Sequence, residues 1–231
     1  MTDTTNGKIS SAYRDLAIAF LVMQFIVTIV RSILREVYGS DYLPYLAVLF
    51  APSMVLIFPL AIRVIIKLKA SNFLIRAILA MFVTGILLRL IAVFLVEIPG
   101  DKLNLSLVSS FIIICILITM IYRMIINLFI ENNHIIEKLW ASVCVYFMIG
   151  AVFGTFYSIL LLLNPGSMGI AMSHPIELYI NGMIYSLNIL SGFDPVFQQV
   201  SESFQMGAIM ESTVATLFLV VLLGRLLGSS V

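Results

Sequence analysis

The 231-residue chain is 61% hydrophobic and only 11% charged, with a formal net charge of +1 at pH 7 and a mean hydropathy of +1.13. Soluble domains hold roughly a quarter charged residues, so the composition excludes an ordinary soluble globular protein and assigns the chain to the integral membrane class. A nucleic-acid partner is not expected.

The chain opens with a polar segment, 1–13, which has a single basic residue, Lys8. The first apolar run after it is too long for a removable signal and lacks a small-residue cleavage site, so it is expected to be retained. About 20 apolar residues cross a bilayer core, and six stretches reach that length: 14–34, 45–67, 73–97, 105–130, 138–163 and 206–228. The predicted fold is therefore an all-α integral membrane protein of six transmembrane helices. It divides into a four-helix domain over 14–134 and a last domain over 135–231. Pro52 and Pro59 interrupt the second stretch and predict a kink there. Cys115 and Cys144 sit in different apolar segments without metal-ligand spacing and read as small buried hydrophobes.

The connection from Asn164 to Gln205 is the long one. It contains an apolar run, Ile176 to Leu190, too short to span. Ser173-His174-Pro175-Ile176-Glu177 introduces this run with Pro and an acidic residue in the first turn, which predicts a helix that crosses half the membrane.

Charge asymmetry sets the expected direction. Lys8, Arg14, Arg63, Lys67, Lys69, Arg76, Arg123, Lys138 and Arg225 fall on one side, against Arg31, Arg35 and Lys102 on the other, which predicts cytoplasmic termini in a plasma or inner membrane. The outer side holds Glu36, Asp41, Glu97, Asp101, Glu177, Asp194 and Glu202, an acidic vestibule that would concentrate cations. Arg89 is left near mid-membrane, where an arginine faces the protein interior and has a structural or gating role. The fourth stretch has only Arg123 near its inner end, too little charge for a strong voltage sensor.

Tyr185-Ser-Leu-Asn-Ile-Leu-Ser-Gly-Phe-Asp-Pro195 is a short apolar helix that ends in a polar tract between the last two stretches. Non-helical backbone at membrane depth is tolerated only where protein or a water-filled path satisfies its polar groups, so this layout points to a pore. The chain holds one copy of the pattern, and a pore would need several chains. Gly150 and Gly154, and Gly224 and Gly228, have the small-xxx-small spacing of close helix approach, which fits assembly weakly.

The last 95 or so residues resemble the pore domain of tetrameric potassium channels of the two-transmembrane type. The likeness is carried by the sequence of outer helix, pore helix, filter-like tract and inner helix, by Glu211 early in the last helix, and by the Gly224-Arg225-Leu226-Leu227-Gly228 ending. The resemblance implies a homotetramer with its filter at Leu190, Ser191, Gly192, Phe193 and Asp194. It places Glu211 near the back of that filter, within reach of pore-helix groups. Gly192-Phe193 matches the family's Gly-Tyr. The second glycine is absent or replaced by Asp194, and Leu190 supplies no threonine hydroxyl, which implies a wider, less selective path for K+ or Na+. An ordinary turn at Asp194-Pro195 is the alternative.

On the last helix, Glu211 is a candidate for the pore-lining or gating set, Ser212, Thr213 and Thr216 are candidates to face a wet cavity, and Val220, Leu223 and Leu227 to form a hydrophobic gate; packing against neighbouring helices is the alternative. An enzyme is not expected: there is no His-Glu-x-x-His, no Gly-x-Ser-x-Gly and no nucleotide-binding glycine loop, and no cofactor is implied beyond permeant cations. The expected partners are further copies of the chain and membrane lipid. A secondary transporter, which would show paired broken helices, or a non-conducting scaffold with a channel-like fold is the other functional class.

Overall fold

A computed structural model describes residues 3–38, 59–66, 72–94, 99–130, 135–169, 175–192 and 200–228. Every regular element among them is helical: α1 (Asp3–Tyr38), α2 (59–66), α3 (Asn72–Phe94), α4 (Pro99–Ile130), α5 (Ile135–Leu163), α6 (Pro175–Ser191) and α7 (Glu202–Gly228).

The six-span expectation is corrected by these helices. Among the described residues three are long and apolar enough to cross a membrane: Leu103–Leu128 in α4, Ile135–Leu163 in α5 and Glu202–Gly224 in α7. Among the described residues the protein is therefore all-helical, with three helices able to span a membrane. The other three stretches were counted on apolar length alone. In 45–67 the described helix is only the eight residues of α2, too short to cross a core of about 30 Å at 1.5 Å per residue. In 73–97 the described apolar helix is the short Phe73–Gly85. The 14–34 stretch belongs to α1, the least apolar of the long helices because it includes the polar N-terminal segment and the charged Arg31, Arg35 and Glu36.

The chain forms two compact units, Met1–Ile75 with Tyr122–Phe147, and Arg76–Ile121 with Met148–Val231. In the first unit, Ala12, Tyr13, Leu16 and Ala17 are buried on α1 while Ile18, Leu21 and Val22 are exposed, the i, i+4 pattern of a helix with one covered face. The Tyr13 hydroxyl accepts a hydrogen bond from Asn127 Nδ2 at 2.9 Å, which pins α1 to the last turns of α4.

In the second unit, Ser109 of α4 donates to the Gly85 carbonyl of α3 at 2.9 Å in a buried contact. A Cβ on Gly85 would meet Ile112 at 3.4 Å, an ordinary van der Waals contact, so the two helices lie at normal packing distance here. The rest of the unit packs α6 against α5 and α7. Its core is Tyr157, Leu161, Met168, Leu178, Tyr185 and Phe204, drawn from all three helices and the turn after α5. Three of these are aromatic, one per helix. The Tyr157 and Phe204 rings stack at 5.3 Å, and Tyr185 meets both edge-on at 4.8 Å and 5.4 Å, arrangements that suit the ring quadrupoles.

The connections are tied down by backbone bonds. The turn after α5 closes through Ser167 N to Asn164 O at 3.0 Å, and Ser201 N donates to Ser167 O at 2.9 Å, holding the start of α7 against that turn. The Ser201 carbonyl then receives Phe204 N and Gln205 N, opening α7, and Glu202 places an acid in its first turn where the helix dipole favours it.

Gly182 is where α6 crosses α5 most closely. A Cβ there would lie 2.6 Å from the Gly154 carbonyl oxygen, 2.6 Å from Ser158 Oγ and 2.8 Å from Ser158 N. Two of these atoms are backbone and do not yield. Gly182→Ala should force the helices apart and destabilise the unit by about 1–3 kcal/mol, the range for overpacking. Gly224→Ala meets nothing within 4 Å in the chain and should leave its fold intact. Denaturant unfolding of the two variants in mild detergent checks the contrast, and equal stabilities would contradict the close crossing.

Candidate functional site

The most unusual group in the second unit is a carboxyl. Glu211, near the middle of α7, is 0% exposed, although its neighbours Met210, Ser212 and Thr213 are all exposed. It belongs to a narrow buried stripe of Phe204, Gly207, Glu211 and Ala215, spaced by three and four residues so that all lie on one face of the helix. Gly207 is needed for this face to approach α5. A Cβ there would come within 2.8 Å of the Tyr157 ring.

Burying a carboxyl is expensive unless both oxygens find partners. Tyr157 of α5 donates from its hydroxyl to Glu211 Oε2 at 2.9 Å. Ser186 of α6 lies in hydrogen-bonding contact with Glu211 Oε1, and its hydroxyl is also 2.8 Å from the Gly150 carbonyl of α5. One carboxyl thus links three helices. The aromatic trio sits beside it, since Tyr157 and Tyr185 flank the acid.

Further small residues make the site possible. Ser158 of α5 bonds the Gly154 carbonyl at 2.8 Å and reaches the Tyr179 carbonyl of α6 at 3.3 Å. A Cβ on Gly150 would strike Leu190 Cδ1, and one on Gly154 would strike Met183 Sδ. The Gly150/Gly154 pair is therefore used within the chain, to seat α6 on α5.

The anticipated filter begins at the end of α6. Leu190 is half-buried, Ser191 is exposed with its hydroxyl 3.1 Å from the Asn188 carbonyl, and Gly192 closes the helix with N–H to the Ile189 carbonyl at 3.2 Å. Gly192 has φ +71, the left-handed conformation that ends many helices and that residues with a Cβ rarely adopt. Phe193 and Asp194 lie outside the described residues. Asn188 Nδ2, on the same turn of α6, is buried without a hydrogen-bond partner among the described residues.

The candidate pore-lining residues divide differently. Glu211 is buried against α5 and α6 and so faces away from the exposed side of α7, where Thr213, Thr216, Val220 and Leu223 lie. Thr213 turns its hydroxyl back to the Ile209 carbonyl at 2.7 Å. Leu227 and Arg89 occupy helical positions in α7 and α3, and their side chains lie outside the described residues. Among the described residues no group of His, Cys, Asp or Glu side chains is placed to hold a metal ion.

No protein-family model matches the chain, and no curated protein or solved structure does either. The functional reading consequently rests on the geometry of this site and on the sequence around it.

Sequence alone pointed to Glu211 but not to its partners. Tyr157 and Ser186 are each one of several hydroxyl-bearing residues in their helices, and the only prior signal for them is that a buried acid needs partners. Tyr157→Phe and Ser186→Ala each remove one link and should lower the stability of the unit by about 1–2 kcal/mol. Glu211→Ala removes both links and leaves a void, and should cost about 3 kcal/mol or more. Unfolding curves in detergent test this, and a Glu211→Ala protein as stable as the wild type would contradict the linking role.

Proposed function

We propose that the chain is a subunit of a cation channel, assembled as a homotetramer in a cell membrane with its termini on the cytoplasmic side. The observation that supports this reading best is the placement of α6. It is a helix of 17 residues, shorter than the roughly 20 needed to cross, set between two membrane-length helices and packed against both through Glu211, Tyr157 and Ser186. It ends at exposed Ser191 and left-handed Gly192. A short helix stopping in non-helical backbone between two spans needs other protein or water at its end. Several copies meeting there would supply both.

In this proposal α6 is the pore helix, Leu190 to Asp194 form the filter, and the exposed side of α7 with Thr213 and Thr216 lines the inner path. Val220, Leu223 and Leu227 then narrow it. Four Asp194 carboxylates at the mouth attract cations, and the reduced glycine content of the tract gives fewer inward carbonyls than a potassium filter. K+ and Na+ both permeate. Arg123 is exposed and is the one charge in the α4 span.

Reconstituted into liposomes, the protein should pass K+ and Na+ with weak discrimination; flux of K+ alone in bi-ionic conditions would contradict the filter assignment. Ser191→Cys, made with Cys115→Ala and Cys144→Ala, should be blocked by a membrane-impermeant thiol reagent. Unchanged flux at confirmed labelling would sink this placement.

Gating should depend shallowly on voltage. One charge per subunit moving through the whole field would supply at most about 9 kcal/mol per 100 mV to a tetramer, at about 2.3 kcal/mol for each charge, and partial movement supplies less. A steep open-probability curve in planar bilayers would show that the N-terminal helices act as a voltage sensor.

A further inference from the structure

Ser186 has one hydroxyl hydrogen and two acceptors in reach, the Gly150 carbonyl at 2.8 Å and Glu211 Oε1. A carbonyl and an ionised carboxylate are both acceptors only. With Glu211 ionised, the Ser186 hydrogen could serve one of them, and the other contact would set oxygen lone pairs against each other inside the helix packing.

A single additional hydrogen resolves the arrangement. With a proton on Oε1, Glu211 donates to Ser186, Ser186 donates to the Gly150 carbonyl, and Tyr157 donates to Oε2. Every hydrogen is then used once and every contact joins a donor to an acceptor. The titratable groups facing the acid are Tyr157 from α5 and Tyr185 from α6, joined by the hydroxyl of Ser186. Among the described residues no basic side chain pairs with it to favour the ionised form.

We propose that Glu211 is a proton-binding site whose proton is the link that fastens α7 to α6 and, through Ser186, to α5. The ligand is one proton, bound between Oε1 and Ser186 Oγ. Without it the chain of hydrogen bonds breaks at Ser186 and a negative charge lies among the rings of Tyr157, Tyr185 and Phe204. The proposal concerns the packing of one chain and holds whether or not the assembly conducts.

Infrared spectroscopy of the full chain in lipid nanodiscs tests it, because a protonated carboxyl and a carboxylate absorb in separate regions. The wild type should show a protonated-carboxyl band at neutral pH that disappears on alkaline titration and is missing from Glu211→Gln. Glu137 is also buried, so the difference between the two proteins is the decisive spectrum. Glu211→Gln should fold as the wild type does, since its amide donates to Ser186 and its carbonyl accepts from Tyr157. No band at neutral pH, a band undiminished in Glu211→Gln, or a Gln variant as unstable as Glu211→Ala would each overturn the assignment.

Discussion

The second unit is arranged around the need to keep a carboxyl out of both water and lipid. An acid in an apolar interior costs several kcal/mol unless each oxygen is engaged, and this requirement explains features that otherwise look unrelated. Tyr157 must reach across from α5, so α7 carries glycine at Gly207 where the tyrosine ring passes. Ser186 must reach it from α6, so α6 lies tightly on α5 with Gly182 against the Gly154 carbonyl. The three aromatic rings then cover the apolar side of the same spot. Helices in lipid gain little from burying apolar surface against one another, since lipid tails are equally apolar, and depend on close approach and polar links instead. The unit uses both at one place.

What the sequence made legible follows from the same physics. The spans in α4, α5 and α7 stand out because length and apolarity are properties of a stretch, readable without knowing its neighbours. The short α6 was readable because Pro175 and Glu177 mark its start and its apolar run stops before membrane length. Apolar length alone overcounted the spans, since α1 mixes polar turns into its run and 45–67 has only the eight-residue α2 among its described residues. The partners were hidden for a different reason. A helix apolar on nearly all sides, such as α5, has no amphipathic pattern to show which face is inward, so nothing distinguished Tyr157 from Tyr146, and Ser186 was one of several polar residues along α6. The Gly150/Gly154 spacing was visible, but spacing does not say which helix approaches. The approaching helix is α6 of the same chain.

The exposed side of α7 shows which residues can bear a functional argument. A hydroxyl on a helix facing lipid would be costly if its hydrogen bonds were open, but Thr213 returns its own to the Ile209 carbonyl one turn earlier, a local bond that makes threonine tolerable in hydrocarbon. Its exposure therefore does not require water beside it. At the end of α6, Ser191 also bonds locally, to the Asn188 carbonyl, and Gly192 N–H closes on the Ile189 carbonyl, so the last turn of α6 is capped where the helix ends. What fixes α6 is its packing: the stripe of Phe204, Gly207, Glu211 and Ala215 holds it against the membrane-length helix α7, with Ser186 as the polar contact between the two.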